Sequence, residues 1–147
     1  MTKHIVKPML AVEADFNKLR YPIFTQPKLD GIRVIIKDGV VYSRSLKPIP
    51  NNHVQSLFGH LHGVDGELIV GNPTASDVFQ KTTSGAMSKD GEPDVTLYAF
   101  DLWSNPSALY EFRYQHLSLV CCEESDVELV PYECIRTHKE LLVYANT

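Results

Sequence analysis

The alternation of apolar and polar residues along the chain predicts a sheet-rich fold. In GIRVIIKDGVVYSRS, two runs rich in β-branched residues flank Asp38-Gly39, a dipeptide suited to a type I′ turn, so a β-hairpin is expected there. VDGELIV, DVTLYAFDLW and VELVPY have the composition of further strands. One more strand is expected to follow the helix-breaking YPIF, because the residue before a proline avoids the helical conformation.

Several other segments have the apolar spacing of helices. AVEADFNKL predicts a short amphipathic helix, and HVQSLFGHL predicts a helix that Asn52 caps. TASDVFQKTTSGAM opens with a candidate cap at Thr74 or Ser76. THKELLVYANT begins with Thr137 and Glu140 in the spacing of a capping box, which predicts a last helix.

The longest helical pattern lies in SALYEFRYQHLSLVCCEE. Its apolar and aromatic positions recur near the i, i+3 and i+4 spacing of a helix that packs on a sheet. The residues predicted to lie on this apolar face are Leu109, Phe112, His116, Leu117 and Val120. Strands and helices together predict the α+β class, with mostly antiparallel sheets and flanking helices.

The composition fits one globular domain of ordinary type. The 147 residues are 44% hydrophobic and 22% charged, and the chain contains no internal repeat, low-complexity segment or linker. The formal net charge of −4 argues against binding to nucleic acid through charge alone, because phosphate contacts need clustered lysine and arginine. Any contact with DNA is therefore expected to be local or assisted by another chain.

Other features argue against a membrane protein and against a metal site made of protein side chains. MTKHIVKPML has no apolar signal region, and no apolar run approaches the ~20 residues of a membrane span, so an intracellular protein is expected. The three cysteines, Cys121, Cys122 and Cys134, form no metal-binding pattern and are expected to be reduced packing residues. The six histidines fall in no metal-ligand motif.

The segment KLDGIR adds charged residues and a glycine at the start of the predicted hairpin. A lysine fixed at the end of a strand can act as a nucleophile after it loses a proton, which neighbouring cations, a metal ion or desolvation would favour. In the alternative interpretation, Lys28, Asp30 and Arg33 are ordinary surface residues of a strand and a turn. A chance K-x-D-G-x-R is expected on the order of two times in a thousand such chains, so a functional role is favoured.

KLDGIR resembles motif I of the covalent nucleotidyltransferases, which comprise ATP-dependent DNA ligases, RNA ligases and mRNA capping enzymes. Three further segments follow in the order of that family. SRSLKPIPN resembles motif Ia, DGELIV resembles motif III and LYAFDLW resembles motif IIIa. TTSGAMSKDGEPDVTLYAFDLW looks most like the small phage-type DNA ligases. The resemblance implies an ATP-grasp-like nucleotidyltransferase fold and a location in the cytoplasm of a bacterium or of a phage-infected host.

The resemblance also implies a nucleophile and its surroundings. Lys28 would attack the α-phosphate of ATP, expel pyrophosphate and hold AMP as a phosphoramidate, with ATP and Mg²⁺ as the cofactors. Asp30 would orient Lys28 or the turn, and Gln26 would help to shape the adenine pocket. The motif arginine, Arg33, favours an ATP user, because NAD-dependent ligases resemble this motif with a small residue at that position.

Four residues are expected to contact the nucleotide or the nick, each with a simpler alternative. Arg33 would contact the ribose or a phosphate, and Glu67 would bind the ribose hydroxyl unless it is only a solvent-facing strand residue. Phe100 would stack on adenine, although packing in the core is a rival role for a residue in so apolar a strand. Arg44 would meet a phosphate of the nucleotide or the nick, or is a plain exposed arginine.

By this resemblance, residues 1–147 are the front part of an adenylation domain, with motifs I, Ia, III and IIIa. Motif IV of E-G form, motif V of K-x-K form and an oligonucleotide-binding domain are not in the sequence. One hypothesis is therefore a DNA ligase subunit or fragment that seals nicked double-stranded DNA with a second polypeptide supplying those parts. The second is an inactive fragment that binds a nucleotide or a partner. A capping-like guanylyltransferase or an RNA ligase is a further alternative.

Overall fold

A five-stranded sheet is the largest element of the computed structural model, which describes residues 7–146. The contacts divide the chain into two units, one formed mainly by Leu29–Leu129 and the other by Met9–Lys28 with Val130–Thr147. In chain order the elements are a 3₁₀ turn (Phe16–Lys18), β1 (Ile23–Thr25), β2 (Ile32–Lys37), β3 (Val40–Ser43), α1 (Asn52–Phe58), β4 (Val64–Val70), α2 (Val78–Met87), β5 (Val95–Leu102), α3 (Tyr110–Cys121), β6 (Val127–Leu129), β7 (Glu133–Ile135) and α4 (His138–Ala145). Within the described residues, no helix combines the length and apolar character needed to cross a bilayer.

The sheet of the first unit has the strand order β3-β2-β4-β5-β6. Neighbouring strands are antiparallel except β5 and β6, which are parallel. The predicted hairpin is confirmed. Asp38 and Gly39 connect β2 to β3 with φ angles of 49° and 86°, and positive φ at both central residues is what a type I′ turn requires. The mixture of helices with a mainly antiparallel sheet confirms the predicted α+β class.

The hydrophobic core of the first unit lies between one face of this sheet and the helices. Alternate residues of the strands point into the core, as the two-residue period of a strand requires. The core includes Val34, Ile36, Leu68, Leu97 and Ala99 from the strands, with Phe58, Ala86 and Leu117 from α1, α2 and α3. The opposite face of the sheet is therefore where the intervening residues lie.

The second unit contains the short strands β1 and β7, which pair antiparallel. The strand expected after the proline is confirmed as β1, whereas β7 was not predicted, since three residues are too few to show alternation. The Thr137 cap of α4 is confirmed, since Thr137 Oγ1 accepts a hydrogen bond from the backbone N–H of Glu140 at 3.2 Å. The return bond from Glu140 falls one residue earlier than in a capping box. The Glu140 carboxylate in turn accepts the backbone N–H of Arg136 at 2.8 Å.

The prediction of an amphipathic helix at AVEADFNKL is wrong for most of that segment. Only Phe16–Lys18 form a helical turn, of the 3₁₀ type, and the residues before it are irregular. The Asp15 carboxylate accepts the backbone N–H of Asn17 and so starts this turn. Val12 and Phe16 are 90% and 46% exposed, and an apolar stripe that is not packed does not stabilise so short a helix.

Two predicted helix caps are displaced along the chain. Asn51 rather than Asn52 caps α1, because its fully buried side chain accepts a backbone N–H of the first turn at 2.9 Å. Helix α2 begins after Asp77 and not after Thr74 or Ser76. Asp77 makes no side-chain capping hydrogen bond.

Helix α3 is present as predicted but packs through a different face. Leu117 is buried and Val120 packs against the core, as expected. Leu109 and Phe112, however, are 69% and 59% exposed, and His116 is exposed as well. The first turn of the helix instead directs polar side chains toward β5, and apolar spacing alone does not reveal such contacts.

The cysteines differ in environment. Cys121 is buried, and burial raises the pKa of its thiol to about 11. Cys122 and Cys134 are exposed, so the expectation that all three are packing residues is wrong for these two.

Candidate functional site

A row of side chains crosses the sheet face that lies opposite the hydrophobic core. Arg33 on β2 is the direct cross-strand partner of Glu67 on β4, and Glu67 is the partner of Tyr98 on β5. Direct partners on neighbouring strands share one face of a sheet. Their chain neighbours Val34 and Leu68 point into the core. We call the face that carries Arg33, Glu67 and Tyr98 the polar face.

On the polar face, Arg33 forms a bidentate ion pair with Asp65. The Nε–Oδ1 distance is 3.1 Å and the Nη2–Oδ2 distance is 2.8 Å. The Asp65 side chain is only 8% exposed. The hydrogen bond to Asp65 is the main cause of a raised pKa for Arg33, while burial raises the pKa of Asp65 and Arg33 opposes that rise. The pair therefore keeps the guanidinium charged and fixes its plane.

Phe100 lies at a β-bulge in β5. Ala99 pairs with Gly66 and Asp101 pairs with Asp65, the residue next to Gly66 on β4. Phe100 is therefore an extra residue of β5 with no direct partner on β4. Its side chain is partly exposed, and Cζ of Arg33 lies 5.7 Å from the ring centroid, within the range of a cation–π contact. The bulge thus presents the ring on the polar face, next to a fixed cation.

The close packing of Gly31 against β4 explains why K-x-D-G-x-R contains a glycine. A Cβ atom at this position would lie 2.0 Å from the carbonyl oxygen of Leu68 and 2.6 Å from Cδ1 of Ile69. The φ angle of Gly31 is not positive, so its backbone is not in the left-handed conformation of a tight turn. The glycine is therefore needed because it lets the chain approach β4 closely.

The other predicted site residues are distributed over both units. In the second unit, the Lys28 side chain is exposed, and Gln26 Nε2 donates a hydrogen bond to the Val130 carbonyl at 3.3 Å. In the first unit, Asp30 precedes β2 and Arg44 follows β3, and both are exposed. The structure thus brings Arg33, Glu67 and Phe100 to the polar face, and the roles of all seven residues stay predictions.

Sequence interpretation missed two residues of the polar face, Asp65 and Tyr98. Asp65 stands two residues before Glu67 in VDGELIV, and Tyr98 stands two residues before Phe100 in LYAFDLW. Residues two apart on a regular strand share a face, so this spacing is the signal that identifies both.

The polar face offers groups that suit a nucleotide. A fixed guanidinium attracts phosphate, a carboxylate accepts hydrogen bonds from ribose hydroxyls, and an aromatic ring can stack on a base. Within residues 7–146, no three His, Cys, Asp or Glu side chains come together in a group able to hold a metal ion. The polar face thus carries the kinds of group that contact the phosphate, ribose and base of a nucleotide.

Comparison with known proteins finds matches only among solved structures. No protein-family model and no curated protein matches the chain. Among solved structures, two of the Chlorella virus DNA ligase-adenylate have a TM-score of 0.77 and 28% sequence identity. These matches cover 94% and 95% of this chain, and 53% and 55% of the viral enzyme.

More distant matches show the same fold. A structure from a study of DNA binding by the minimal Lig E DNA ligases has a TM-score of 0.72 and 20% identity, covering 97% of this chain and 57% of that one. The ATP-dependent DNA ligase of bacteriophage T7, in complex with ATP, has a TM-score of 0.55 and 15% identity, covering 88% of this chain and 53% of the T7 enzyme. The chain thus spans about half the length of the ligases it matches. The predicted resemblance is confirmed, since over most of its length the chain has the fold of the adenylation domain of ATP-dependent DNA ligases.

Proposed function

We propose that this chain, with its ligase adenylation fold, carries out nucleotide transfer for an ATP-dependent DNA ligase and forms a lysyl-AMP at Lys28. The observation that carries the proposal is the K-x-D-G-x-R sequence that leads directly into β2, where Arg33 joins Glu67 and Phe100 on the polar face. The 28% identity with a ligase that was crystallised as its adenylate supports it.

The proposed reaction replaces one phosphorus–oxygen bond with one phosphorus–nitrogen bond. Lys28 Nζ, once deprotonated, attacks the α-phosphorus of ATP and forms the N–P bond. The bond between the α-phosphorus and the bridging oxygen breaks, and pyrophosphate leaves with the electron pair. Nζ loses a further proton, so AMP remains on the lysine as a phosphoramidate. In nick sealing the AMP would pass to the 5′-phosphate of the DNA.

The residues of the polar face would orient the nucleotide. Arg33 lies over one face of the Phe100 ring, and we assign the other face to adenine. Glu67 would accept a ribose hydroxyl, and Arg33, kept charged by Asp65, would contact the ribose or a phosphate. Mg²⁺ commonly enters nucleotide sites with the phosphates and few protein ligands, so no described residue is assigned to it.

Three other residues have lesser proposed roles. Gln26 would help to shape the adenine pocket, and Asp30 would orient Lys28. Arg44, exposed after the hairpin, would meet a phosphate of the nucleotide or of the nicked DNA.

We further propose that nick sealing requires a complementary polypeptide segment with the E-G and K-x-K motifs and an oligonucleotide-binding domain. The second unit supports this proposal. Among the described residues, β1 and β7 pair only with each other, and a two-stranded sheet is marginally stable by itself. Phe24, Leu142 and Val143 of this unit are 41%, 45% and 62% exposed. Added strands would pair with the sheet edges and cover such apolar side chains.

Transfer of label from α-labelled ATP tests the proposal. The chain, alone or with the complementary segment, should acquire covalent label, and unlabelled ATP should compete better than GTP. Lys28→Arg and Lys28→Ala should abolish labelling without unfolding the chain, since Lys28 is exposed, while Lys81→Arg, at an exposed lysine of α2, should keep it.

Other results would exclude the proposal or select an alternative. Label that persists in Lys28→Ala would remove Lys28 from its role. A preference for GTP would favour the capping-like alternative, and no label in any combination would favour a fragment that only binds a nucleotide or a partner.

A further inference from the structure

The bulge at Phe100 is held from outside the sheet by the first turn of α3. Phe100 has no register partner on β4 or on β6, so the strand ladder does not fix this residue. Its carbonyl oxygen instead accepts a hydrogen bond from the Tyr110 hydroxyl at 2.5 Å. A backbone carbonyl that leaves the ladder needs such a partner, and here a side chain provides it.

The neighbouring residue of the bulge is held by the same turn. Arg113 Nε and Nη2 donate to the Asp101 carboxylate at 2.8 and 3.3 Å, and Nη1 donates to the Ala108 carbonyl at 2.6 Å. The Arg113 side chain is 20% exposed and the Asp101 side chain 22%. The guanidinium also lies 5.4 Å from the Tyr110 ring centroid. Because residues three apart share a helix face, Tyr110 and Arg113 reach adjacent bulge residues together.

We propose that Tyr110 and Arg113 are positioning residues that fix the Phe100 ring for the incoming base. This inference rests on the proposed function, in which Phe100 stacks on adenine. Tyr110 holds the backbone of Phe100 itself, and Arg113 holds Asp101 on the next residue. Neither side chain needs to touch the nucleotide, so loss of either contact weakens stacking without removing the nucleophile.

The test combines a kinetic measurement with a spectroscopic one. Tyr110→Phe removes a single hydroxyl and keeps the ring. Arg113→Lys keeps the charge but loses the planar fork that reaches both Asp101 and the Ala108 carbonyl. Ser118→Ala is the control, because it removes a hydroxyl further along α3 that donates to the Gln115 carbonyl. Each variant is assayed for self-adenylation against ATP concentration, and 4-fluorophenylalanine in place of Phe100 reports on the ring by ¹⁹F NMR without ATP.

Both positioning variants should raise the KM for ATP by about 5- to 10-fold, as expected for one lost hydrogen bond. The rate at saturating ATP should change less than about twofold, because nucleophilic attack by Lys28 is not affected. The ¹⁹F resonance should shift or broaden in both variants, and Ser118→Ala should leave the KM for ATP and the resonance unchanged.

The outcomes separate this inference from the proposed function. An unchanged ¹⁹F resonance with an unchanged KM in Tyr110→Phe and Arg113→Lys would overturn the positioning role while the lysyl-AMP proposal stands. If the unaltered chain forms no adenylate, either alone or with the complementary segment, the proposed function fails. The ¹⁹F comparison then still decides whether Tyr110 and Arg113 fix the ring.

Discussion

Single residues of the first unit have roles that residue type alone does not reveal. Asp65 illustrates this, because an aspartate in an apolar strand is buried only through its ion pair with Arg33. The sequence predicted Arg33 and Glu67 for the site because they match a motif. Asp65 belongs to the same short segment but was found only when the strand register placed it next to Arg33.

Gly31 leads to a prediction about stability. Gly31→Ala should lower the free energy of unfolding by about 3 kcal/mol, because the new Cβ would collide with the Leu68 carbonyl oxygen and the backbone would have to move. Gly39→Ala is the comparison. No atom lies within 4 Å of the position that a Cβ of residue 39 would take, but the φ angle of Gly39 is +86°. Gly39→Ala should therefore lower the free energy of unfolding by only about 1 kcal/mol. Urea unfolding of the two variants measures the difference, and equal losses would contradict the close approach to β4.

The elements were predictable where a local pattern determines them. The hairpin, β4, β5 and the Thr137 cap of α4 have strong signals within about ten residues, and the structure contains all of them. The face through which α3 packs on the sheet was not predictable from the sequence, because the contacts of Tyr110 and Arg113 with β5 depend on tertiary structure. Residues 11–15 were predicted to be helical but are irregular, because apolar spacing does not reveal whether a packing surface is present.

Helix α1 allows a direct test of which asparagine is its cap. Asn51 is fully buried, and its Nδ2 also donates to the Ser88 carbonyl at 2.8 Å. Asn51→Ala should therefore destabilise the chain by about 2 to 4 kcal/mol, through the lost cap and the buried groups left without partners. Asn52→Ala, at the exposed neighbour, should cost less than about 0.5 kcal/mol.

Thermal or urea unfolding of the two asparagine variants gives the comparison. A larger loss from Asn52→Ala than from Asn51→Ala would show that α1 is capped as the sequence first suggested.

At the scale of the whole molecule, the chain has the fold of a ligase adenylation domain but spans about half the length of the ligases it resembles. Its net charge of −4 also argues that it does not bind DNA through charge alone. The motif sequences predicted this fold before the structure was compared with others.

Conversion of a nicked duplex to sealed product shows whether Lys28 supplies the AMP for nick sealing. The complementary polypeptide carries the E-G and K-x-K motifs and the oligonucleotide-binding domain. The assay contains ATP and Mg²⁺ together with this chain alone, the complementary polypeptide alone, or both proteins. Sealing is predicted only when both are present, and it should be lost when the chain carries Lys28→Arg and kept when it carries Lys81→Arg. Equal sealing by the Lys28→Arg mixture would contradict the account.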